Sequence, residues 1–347
     1  MRTSALERIP VTLIGGYLGA GKTSLLRHLL AHATGERIAV LVNDFGSLGL
    51  DAALVARSDA ETVTLTNGCV CCSIADDFGA ALDAQVRSAV PPARIVVETS
   101  GVAEPGKTAR YASGWPGVRL DAVLTVVDLE TIRTQARDRF VGALVERQIA
   151  SADLVVANKS DRVAASARRS TVEWLVRRAP RAALVETTHG RVAPAIALGL
   201  GMHEPGRPPD PRGAERPPEE GAGHVHTDGV LSTTDHVEVP FARITCRTPQ
   251  PLDRTALAAI LDTLPNEVVR FKGLVRLQER PDRPCVLQGV GRRWSLDPAP
   301  AHVSVHLGID DESVIDVIGI GPTGPIESAA RNIMSIPESS TQPAGTR

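Results

Sequence analysis

The residues best suited to phosphate chemistry lie in one loop, residues 16–23, with the spacing Gly-x-x-x-x-Gly-Lys-Thr. The apolar run before this loop predicts a buried strand, and the leucine-rich stretch after it predicts a helix. In that setting, backbone N–H groups and the helix dipole converge on phosphate oxygens. We expect Lys22 to reach the β- and γ-phosphates and the Thr23 hydroxyl to bind Mg²⁺; a glycine-rich turn without a ligand is the alternative. The expected nucleotide contacts in this loop are Gly16, Gly19, Ala20, Gly21, Lys22, Thr23 and Ser24.

A second motif, Asn158-Lys159-Ser160-Asp161, follows an apolar run that predicts another strand. The Asp161 carboxylate can accept hydrogen bonds from the N1–H and N2–H₂ groups of guanine, a donor pair that adenine lacks. The Lys159 stem can cover the base, and Asn158 is included among the expected nucleotide-binding residues. Downstream of a phosphate loop, this pattern indicates GTP rather than ATP, with a capping turn as the alternative.

Two acidic residues follow predicted strands and are candidates for the metal side of the nucleotide site. Glu98 follows residues 94–97, and Asp44 lies just after residues 37–42. Ligands of parallel α/β sheets bind beyond the carboxyl ends of the strands, where a carboxylate can hold Mg²⁺ or its water shell. The predicted catalytic residues are therefore Lys22, Thr23, Glu98 and Asp44, with an ordinary acidic turn as the alternative for Asp44.

Three cysteines, Cys69, Cys71 and Cys72, precede a stretch of helical pattern at residues 77–90. Alternate thiols on an extended backbone can point to one side, and a third thiol at the helix start can complete a site for Zn²⁺, Co²⁺ or Cu(I). A tetrahedral site needs a fourth ligand from elsewhere, which suits metal transfer. A redox thiol and inert packing are the alternatives. Cys246 and Cys285 stand alone on apolar stretches and are expected to be buried.

The histidines His224 and His226 follow a segment that is rich in Pro, Gly, Arg and Glu. Alternate imidazoles on such a segment can collect a transition metal. Solvated loop residues are the alternative for this pair.

The pattern of elements predicts two folded domains. Alternating strands and helices predict a P-loop α/β domain with a doubly wound, mostly parallel sheet at residues 1–190, followed by a Pro/Gly-rich linker at 191–235. A smaller α+β domain is expected at 236–320, with a helical pattern near 312–318, and a disordered tail at 321–347. Lys272 is expected to be a solvated charge on a strand of this smaller domain, with a partner or nucleotide contact as the alternative.

Composition restricts the class of protein and its partners. With 347 residues and 43% hydrophobic content, the chain can bury the cores of two domains. Its net charge of −2 argues against a general attraction to nucleic acid or to an anionic membrane. The apolar runs are too short to span a bilayer, and the first ten residues lack the apolar centre of a signal peptide. We therefore expect a cytoplasmic protein without nucleic-acid or membrane partners.

Taken in order, these motifs resemble those of the CobW-like metallochaperone GTPases. The matching segments are residues 15–23, 43–46, 67–72, 98–101, 158–161 and 270–273, together with the His-containing linker. The resemblance implies a slow, Mg²⁺-dependent GTPase that binds zinc, cobalt or a related metal at Cys-x-Cys-Cys. It also implies delivery of that metal to a client apo-metalloprotein. This chain departs from the family pattern at Asp44, where Glu is usual, and at Tyr17, where Phe is usual.

The motifs and the resemblance together predict a GTP-hydrolysing metallochaperone that uses GTP, Mg²⁺ and either Zn²⁺ or Co²⁺. A client apo-metalloprotein is the expected partner, with a homodimer as a further option. A regulatory GTP switch with structural or redox cysteines is the alternative from another class. A kinase-like phosphotransferase is a third reading, against which the guanine motif speaks.

Overall fold

The computed structural model describes residues 8–33, 36–43, 61–65, 73–200, 225–226, 241–299 and 312–336. These residues fall into two compact units. The first contains the described residues up to 200, and the second contains residues 225–226 and the described residues from 241 onward. Across these parts of the chain, no helix combines the length and apolar character that crossing a bilayer requires.

The first unit is built on a seven-stranded sheet with the strand order β3-β2-β4-β1-β5-β6-β7. Every adjacent pair of these strands is parallel. The strands are β1 (Ile9–Gly15), β2 (Ile38–Asn43), β3 (Glu61–Leu65), β4 (Arg94–Glu98), β5 (Val118–Asp128), β6 (Leu154–Asn158) and β7 (Ala183–Glu186). All residues of β1, β4 and β6 are buried, as central strands of a sheet covered on both faces require.

Helices connect these strands and supply the apolar layers against the sheet. They are α1 (Lys22–His32), α2 (Ser73–Val86), α3 (Pro105–Gly114), α4 (Ile132–Arg137), α5 (Gly142–Ala150), α6 (Ala165–Arg178) and α7 (Pro194–Leu198), with a 3₁₀ turn at Ser160–Arg162. Side chains of α2 and α3 pack against β1, β2 and β4. Those of α4, α5 and α6 pack against β5 and β6 in a second cluster. Alternation of parallel strands with helices is the doubly wound arrangement that the sequence predicts.

The second unit is a six-stranded antiparallel sheet with two helices on one face. Its strand order is β12-β11-β10-β13-β9-β8. The strands are β8 (Val225–His226), β9 (Phe241–Thr248), β10 (Val268–Leu277), β11 (Arg280–Val290), β12 (Arg293–Pro298) and β13 (Ser313–Ile320), and the helices are α8 (Arg254–Asp262) and α9 (Thr323–Met334). Alternate residues of the central strands, such as Phe271 and Ile315, form a core with Leu257 of α8 and Ile326 of α9. The predicted fold class, an α/β P-loop domain with a smaller α+β domain, is confirmed.

Two predictions for the C-terminal part of the chain are wrong. Residues 312–318 were expected to be helical, but β13 lies there, between β10 and β9. Its seven buried residues suit a central strand of the sheet. The tail was expected to be disordered from residue 321, but α9 covers Thr323–Met334. Ile326, Ala329, Ala330 and Ile333 have the spacing of one helix face and are all buried.

The structure also differs from the expected start of the linker and from the expected environment of Lys272. Residues 192–198 are largely buried in the first unit, because the apolar side chains of α7 pack there. Lys272 is 7% exposed on β10 and is therefore not a solvated charge. Burial of Cys246 and Cys285 is confirmed. Burial, with the nearby Asp316 carboxylate, raises the pKa of the Cys246 thiol to about 12, so this cysteine is a neutral packing residue.

A buried cluster of ion pairs and hydrogen bonds connects strands β1, β4 and β5 of the parallel sheet. The Arg94 guanidinium at the start of β4 is 2% exposed and lies 3.5 Å from an Asp121 carboxylate oxygen on β5. Arg119 lies 3.7 Å from the other oxygen of the same carboxylate. The Thr12 hydroxyl of β1 donates to Asp121 at 3.3 Å. Asp121 therefore links three strands from a position where its charge is shielded from water.

We predict that Asp121→Ala lowers the free energy of unfolding of the first unit by about 3 kcal/mol, because it leaves a desolvated guanidinium without its closest carboxylate. Glu146→Ala is the control, since its ion pair with Arg178 is half-exposed and should contribute less than about 1 kcal/mol. Urea unfolding followed by circular dichroism measures both. Equal losses of unfolding free energy in the two variants would show that the buried Asp121 cluster stabilises the fold no more than an exposed ion pair does.

Candidate functional site

The phosphate loop joins the end of β1 to the start of α1. Gly16, Gly19 and Gly21 in this loop all have positive φ angles, and Gly21 has a φ of 103°. A Cβ atom at Gly21 would lie 2.3 Å from the Asn158 side-chain nitrogen, so no larger residue fits without displacing Asn158. Among the described residues, no side chain caps α1 at its N-terminus. The first turn of α1 therefore presents backbone N–H groups in the arrangement that binds phosphate oxygens.

The Thr23 hydroxyl and the Glu98 carboxylate meet at this loop. Thr23 Oγ1 donates to Glu98 Oε1 at 2.9 Å. Glu98 is the last residue of β4 and is paired with Ile14 of β1, so the sheet register brings it to the start of the loop. Lys22, which precedes Thr23 in the sequence, is buried. Its Nζ donates a hydrogen bond to the Tyr17 carbonyl at 3.4 Å. A hydroxyl and a carboxylate oxygen side by side are the donor types that Mg²⁺ prefers.

Asn158 connects the guanine motif to the phosphate loop. Its side-chain Nδ2 donates to the Ala20 carbonyl at 2.9 Å, and its Oδ1 accepts a hydrogen bond from the Gly190 backbone N–H at 2.9 Å. Asn158 is 1% exposed, so these bonds are made away from water. The amide is thus engaged with backbone atoms of two loops, which points to positioning of the site rather than to base recognition by Asn158 itself.

Lys159 and Asp161 occupy the exposed side of the same motif. Lys159 has a φ of 60°, and its Nζ lies 2.7 Å from Asp128 Oδ2 at the end of β5. Asp161 lies in the 3₁₀ turn and is exposed, so its carboxylate is accessible to a base. Sequence reasoning missed Asp128 and Gly190 as parts of this site. Asp128 could have been found, because it ends a predicted strand at the same sheet edge as Glu98 and Asn158.

The structure brings together the phosphate loop, Glu98 and Asn158, with Ser24 half-buried in the first turn of α1. Several predicted residues lie outside the described part of the chain: Asp44, Cys69, Cys71, Cys72 and His224. For His226, the backbone alone is described, in β8 opposite Thr245 of β9. Within the described ranges, no group of three or more His, Cys, Asp or Glu residues is arranged to hold a metal ion.

The cysteine motif lies in sequence between β3 and α2, and both of these elements are described. β3 pairs with β2, which pairs with β4, so the carboxyl end of β3 lies two strands from Glu98, or about 10 Å. Helix α2 is closely packed on α3: a Cβ atom at Gly79 would lie 2.5 Å from the Trp115 ring. Trp115 Nε1 also donates to Asp83 Oδ1 at 3.0 Å. The helix that follows the cysteines is therefore held firmly at its middle.

His28, on the helix that follows the phosphate loop, is a titratable group with a strongly shifted pKa. His28 in α1 has its pKa lowered to about 4, first by burial and then by the charges of His32 and Arg191. The His28 and His32 rings lie 4.2 Å apart between centroids. At neutral pH His28 is consequently uncharged, and it takes up a proton only in acid.

Comparison with known proteins matches both units. Residues 10–186 match the family described as CobW/HypB/UreG, nucleotide-binding domain, and residues 241–324 match the cobalamin synthesis protein cobW C-terminal domain. The chain is 33% identical to a zinc chaperone CobW of Sinorhizobium sp over 326 residues, which cover 82% of this chain and 86% of that protein. A zinc chaperone CobW of Pseudomonas aeruginosa is 32% identical over 83% of this chain and 82% of its own length. The zinc chaperone YjiA of Escherichia coli is 30% identical, with 84% of this chain and 89% of that protein covered.

We predict that Gly21→Ala weakens GTP binding by about a hundredfold or more, because the new Cβ forces a strained φ and displaces Asn158. Gly114→Ala is the matched control, since a Cβ there meets nothing within 4 Å. Fluorescence titration with a labelled GTP analogue measures both variants. Comparable affinities in the two variants would contradict the close fit between Gly21 and Asn158.

We also predict that the free energy of unfolding falls as the pH drops from about 6.5 through about 4, in part because of His28. The unfolded chain takes up a proton at the ordinary pKa of 6.5, whereas the folded chain resists it until about 4. The His28 contribution is thus present above pH 6.5 and is lost in acid. Urea titrations from pH 7 to 4 should show a shallower fall for His28→Gln than for the wild type, and parallel curves would exclude His28 as a contributor.

Proposed function

Because this chain belongs to the CobW/HypB/UreG family, we propose that it is a GTP-hydrolysing metallochaperone that carries zinc to a client apo-metalloprotein. Relatives that share 30–33% identity with it over most of its length are named zinc chaperones, which supports a metallochaperone GTPase. The observation that carries the GTPase assignment is the contact of 2.9 Å between Thr23 Oγ1 and Glu98 Oε1 at the phosphate loop.

The donor set at this loop fits a nucleotide with Mg²⁺. Thr23 and Glu98 would hold the ion, directly or through its water shell, and the bound ion would offset charge on the β- and γ-phosphates. Lys22 places its ammonium toward the same phosphates, and backbone N–H groups of α1 donate to their oxygens. Burial of Lys22 and Glu98 keeps these charges effective, because water screens them little. Asp44 joins this set in the proposal as the residue that contacts the ion or the attacking water.

The guanine motif selects the nucleotide through the exposed residues of its loop. Asp161 accepts hydrogen bonds from the N1–H and N2–H₂ groups of guanine. The Lys159 stem covers the base while its ammonium is held by Asp128 at 2.7 Å. Asn158 keeps this loop in a fixed relation to the phosphate loop through Ala20. In this proposal Asp161 and Lys159 recognise the base, and Asn158 positions their loop relative to the phosphate loop.

Zinc is the proposed cargo, bound by the thiolates of Cys69, Cys71 and Cys72, with cobalt as the other candidate. In the sequence this segment follows β3, whose carboxyl end lies at the sheet edge where Glu98 also lies. Three thiolates leave one position for a ligand from the client, which allows transfer. A second metal position at His224 and His226, and assembly of two copies of the chain, belong to the same proposal.

Nucleotide and metal binding are proposed to be linked. GTP with Mg²⁺ orders the loops that carry Asp44 and the three cysteines, so zinc binds more tightly in the GTP state and is released after hydrolysis. Thermodynamic reciprocity then requires zinc to tighten GTP binding by the same factor. The alternative from another class, a regulatory GTP switch, has cysteines whose metal affinity is indifferent to nucleotide.

The test is a competitive Zn²⁺ titration, repeated with Co²⁺, of the protein with Mg²⁺ and a non-hydrolysable GTP analogue, with Mg²⁺ and GDP, or without nucleotide. We expect at least about tenfold tighter zinc binding with the analogue than in the other two states, a typical size for coupled sites. Zinc should tighten binding of the analogue by the same factor.

Cysteine variants separate this function from its rival. Cys71→Ala should remove tight zinc binding and leave binding of the GTP analogue to the apo-protein within about twofold. Cys285→Ala is the control, because this thiol is buried in the second unit. Equal zinc affinity in all three nucleotide states would instead favour the regulatory switch.

A further inference from the structure

Gln148 of α5 makes an unusual set of contacts with the loop that follows Glu98. Its side-chain Nε2 donates to the Gly101 carbonyl at 3.1 Å and to the Ala103 carbonyl at 2.8 Å. The residue is 1% exposed. Both N–H groups of the amide are thus used on one short segment in a site without access to water, where their loss is costly.

The backbone of Gln148 is itself fixed to the sheet. Its carbonyl accepts hydrogen bonds from the Thr125 hydroxyl of β5 at 3.0 Å and from the Ser151 hydroxyl at 2.9 Å. Thr125 is fully buried. The side-chain amide of Gln148 is therefore a rigid extension of the parallel sheet rather than a mobile surface group.

The clamped segment, residues 99–104, lies against the phosphate loop. Its first residue, Thr99, donates from its backbone N–H to the Ile14 carbonyl of β1 at 2.9 Å. Two residues later, a Cβ atom at Gly101 would lie 2.9 Å from the backbone nitrogen of Leu18 and 2.5 Å from the Leu18 side chain. Gly101 is thus in close contact with the phosphate loop, while its carbonyl is held from the other side by Gln148.

We propose that Gln148 is a positioning residue for the γ-phosphate of GTP. In the nucleotide site proposed above, on which this inference rests, Thr23 and Glu98 would hold Mg²⁺, which would offset charge on the β- and γ-phosphates. Gly101, three residues after Glu98, is then the part of the clamped segment that lies next to the terminal phosphate. Gln148 keeps the clamped segment in place through its hydrogen bonds to the Gly101 and Ala103 carbonyls, and it does not touch the nucleotide.

This arrangement makes Gln148 sensitive to the number of phosphates. GDP lacks the group that reaches the clamped segment, whereas GTP and its transition state both press against it. Loss of the clamp should therefore reduce affinity for GTP and slow its hydrolysis while GDP binding is maintained. A residue that merely supports the fold would affect both nucleotides together.

A second contact between α5 and the same segment supplies a control. Arg147 Nε lies 3.0 Å from a Glu104 carboxylate oxygen, but the Arg147 side chain is 54% exposed. An exposed ion pair holds a loop weakly, because water screens it. Arg147→Ala should consequently leave nucleotide binding within about twofold of the wild type.

The experiment measures the affinities for GDP and for a non-hydrolysable GTP analogue, with Mg²⁺, together with kcat and KM for GTP. Gln148→Met keeps the length of the side chain and removes both donors. We expect it to weaken binding of the analogue at least about tenfold, to change GDP affinity less than about twofold, and to lower kcat. Gln85→Met is the matched control, since Gln85 is a buried amide on α2.

Two results would overturn the proposal: unchanged affinity for the analogue, or equal losses for GDP and the analogue. Gln148→Asn keeps the amide one methylene shorter, too short to reach both carbonyls, and it serves if Gln148→Met does not fold. The selective loss of the analogue is again the expected result. Wild-type protein that binds neither nucleotide would overturn the proposed function as well, whereas a wild type without zinc linkage would overturn the metal assignment alone.

Discussion

The side-chain amide of Asn158 holds together two loops of the candidate nucleotide site. It joins the phosphate loop at Ala20 to the loop at Gly190, and it lies where a Cβ at Gly21 would have to go. Asn158 therefore fixes the phosphate loop at Ala20 and leaves no room for a side chain at position 21. Because the amide is buried, each of its hydrogen bonds is protected from competition with water. In the proposed function a guanine nucleotide contacts both loops, and their fixed relative position would lower the entropic cost of binding it.

The register of the parallel strands determines which side chains reach the phosphate loop. β4 and β1 are paired so that Glu98 lies beside Ile14, two residues before the loop begins. The same pairing brings Glu98 within hydrogen-bond distance of Thr23 on the first turn of α1. A shift by one residue would send the Glu98 carboxylate to the opposite face of the sheet. The apolar residues of β1 and β4 make such a shift expensive, since both strands are buried throughout.

Much of the parallel sheet and of the loops at its carboxyl edge could be predicted from the sequence, because the parallel strands are short apolar runs that end at polar motifs. The fold class and the burial of Cys246 and Cys285 are confirmed, while the assignments of nucleotide and metal ligands stay predictions. The hydrogen bonds of Asn158 could not be foreseen, since its partners lie 138 and 32 residues away in the sequence. β13 was mistaken for a helix, although its β-branched residues suit a strand. In α9, the prolines and serines around the helix hid the spacing of Ile326 and Ile333.

Packing also gives the proposed linkage between GTP and zinc a contiguous physical route. The segment after Glu98 leads directly into α3. Tyr111 of α3 lies against Phe78 of α2, and Trp115, the residue after α3, lies against Gly79 of α2. A shift of α3 would displace α2 as well, because the contact at Gly79 leaves no room for even a methyl group. Helix α2 begins at Ser73, directly after the cysteine motif in the sequence. A γ-phosphate that changes the position of residues 99–104 would therefore act on the helix adjoining the metal ligands, and the coupling needs no contact between nucleotide and metal.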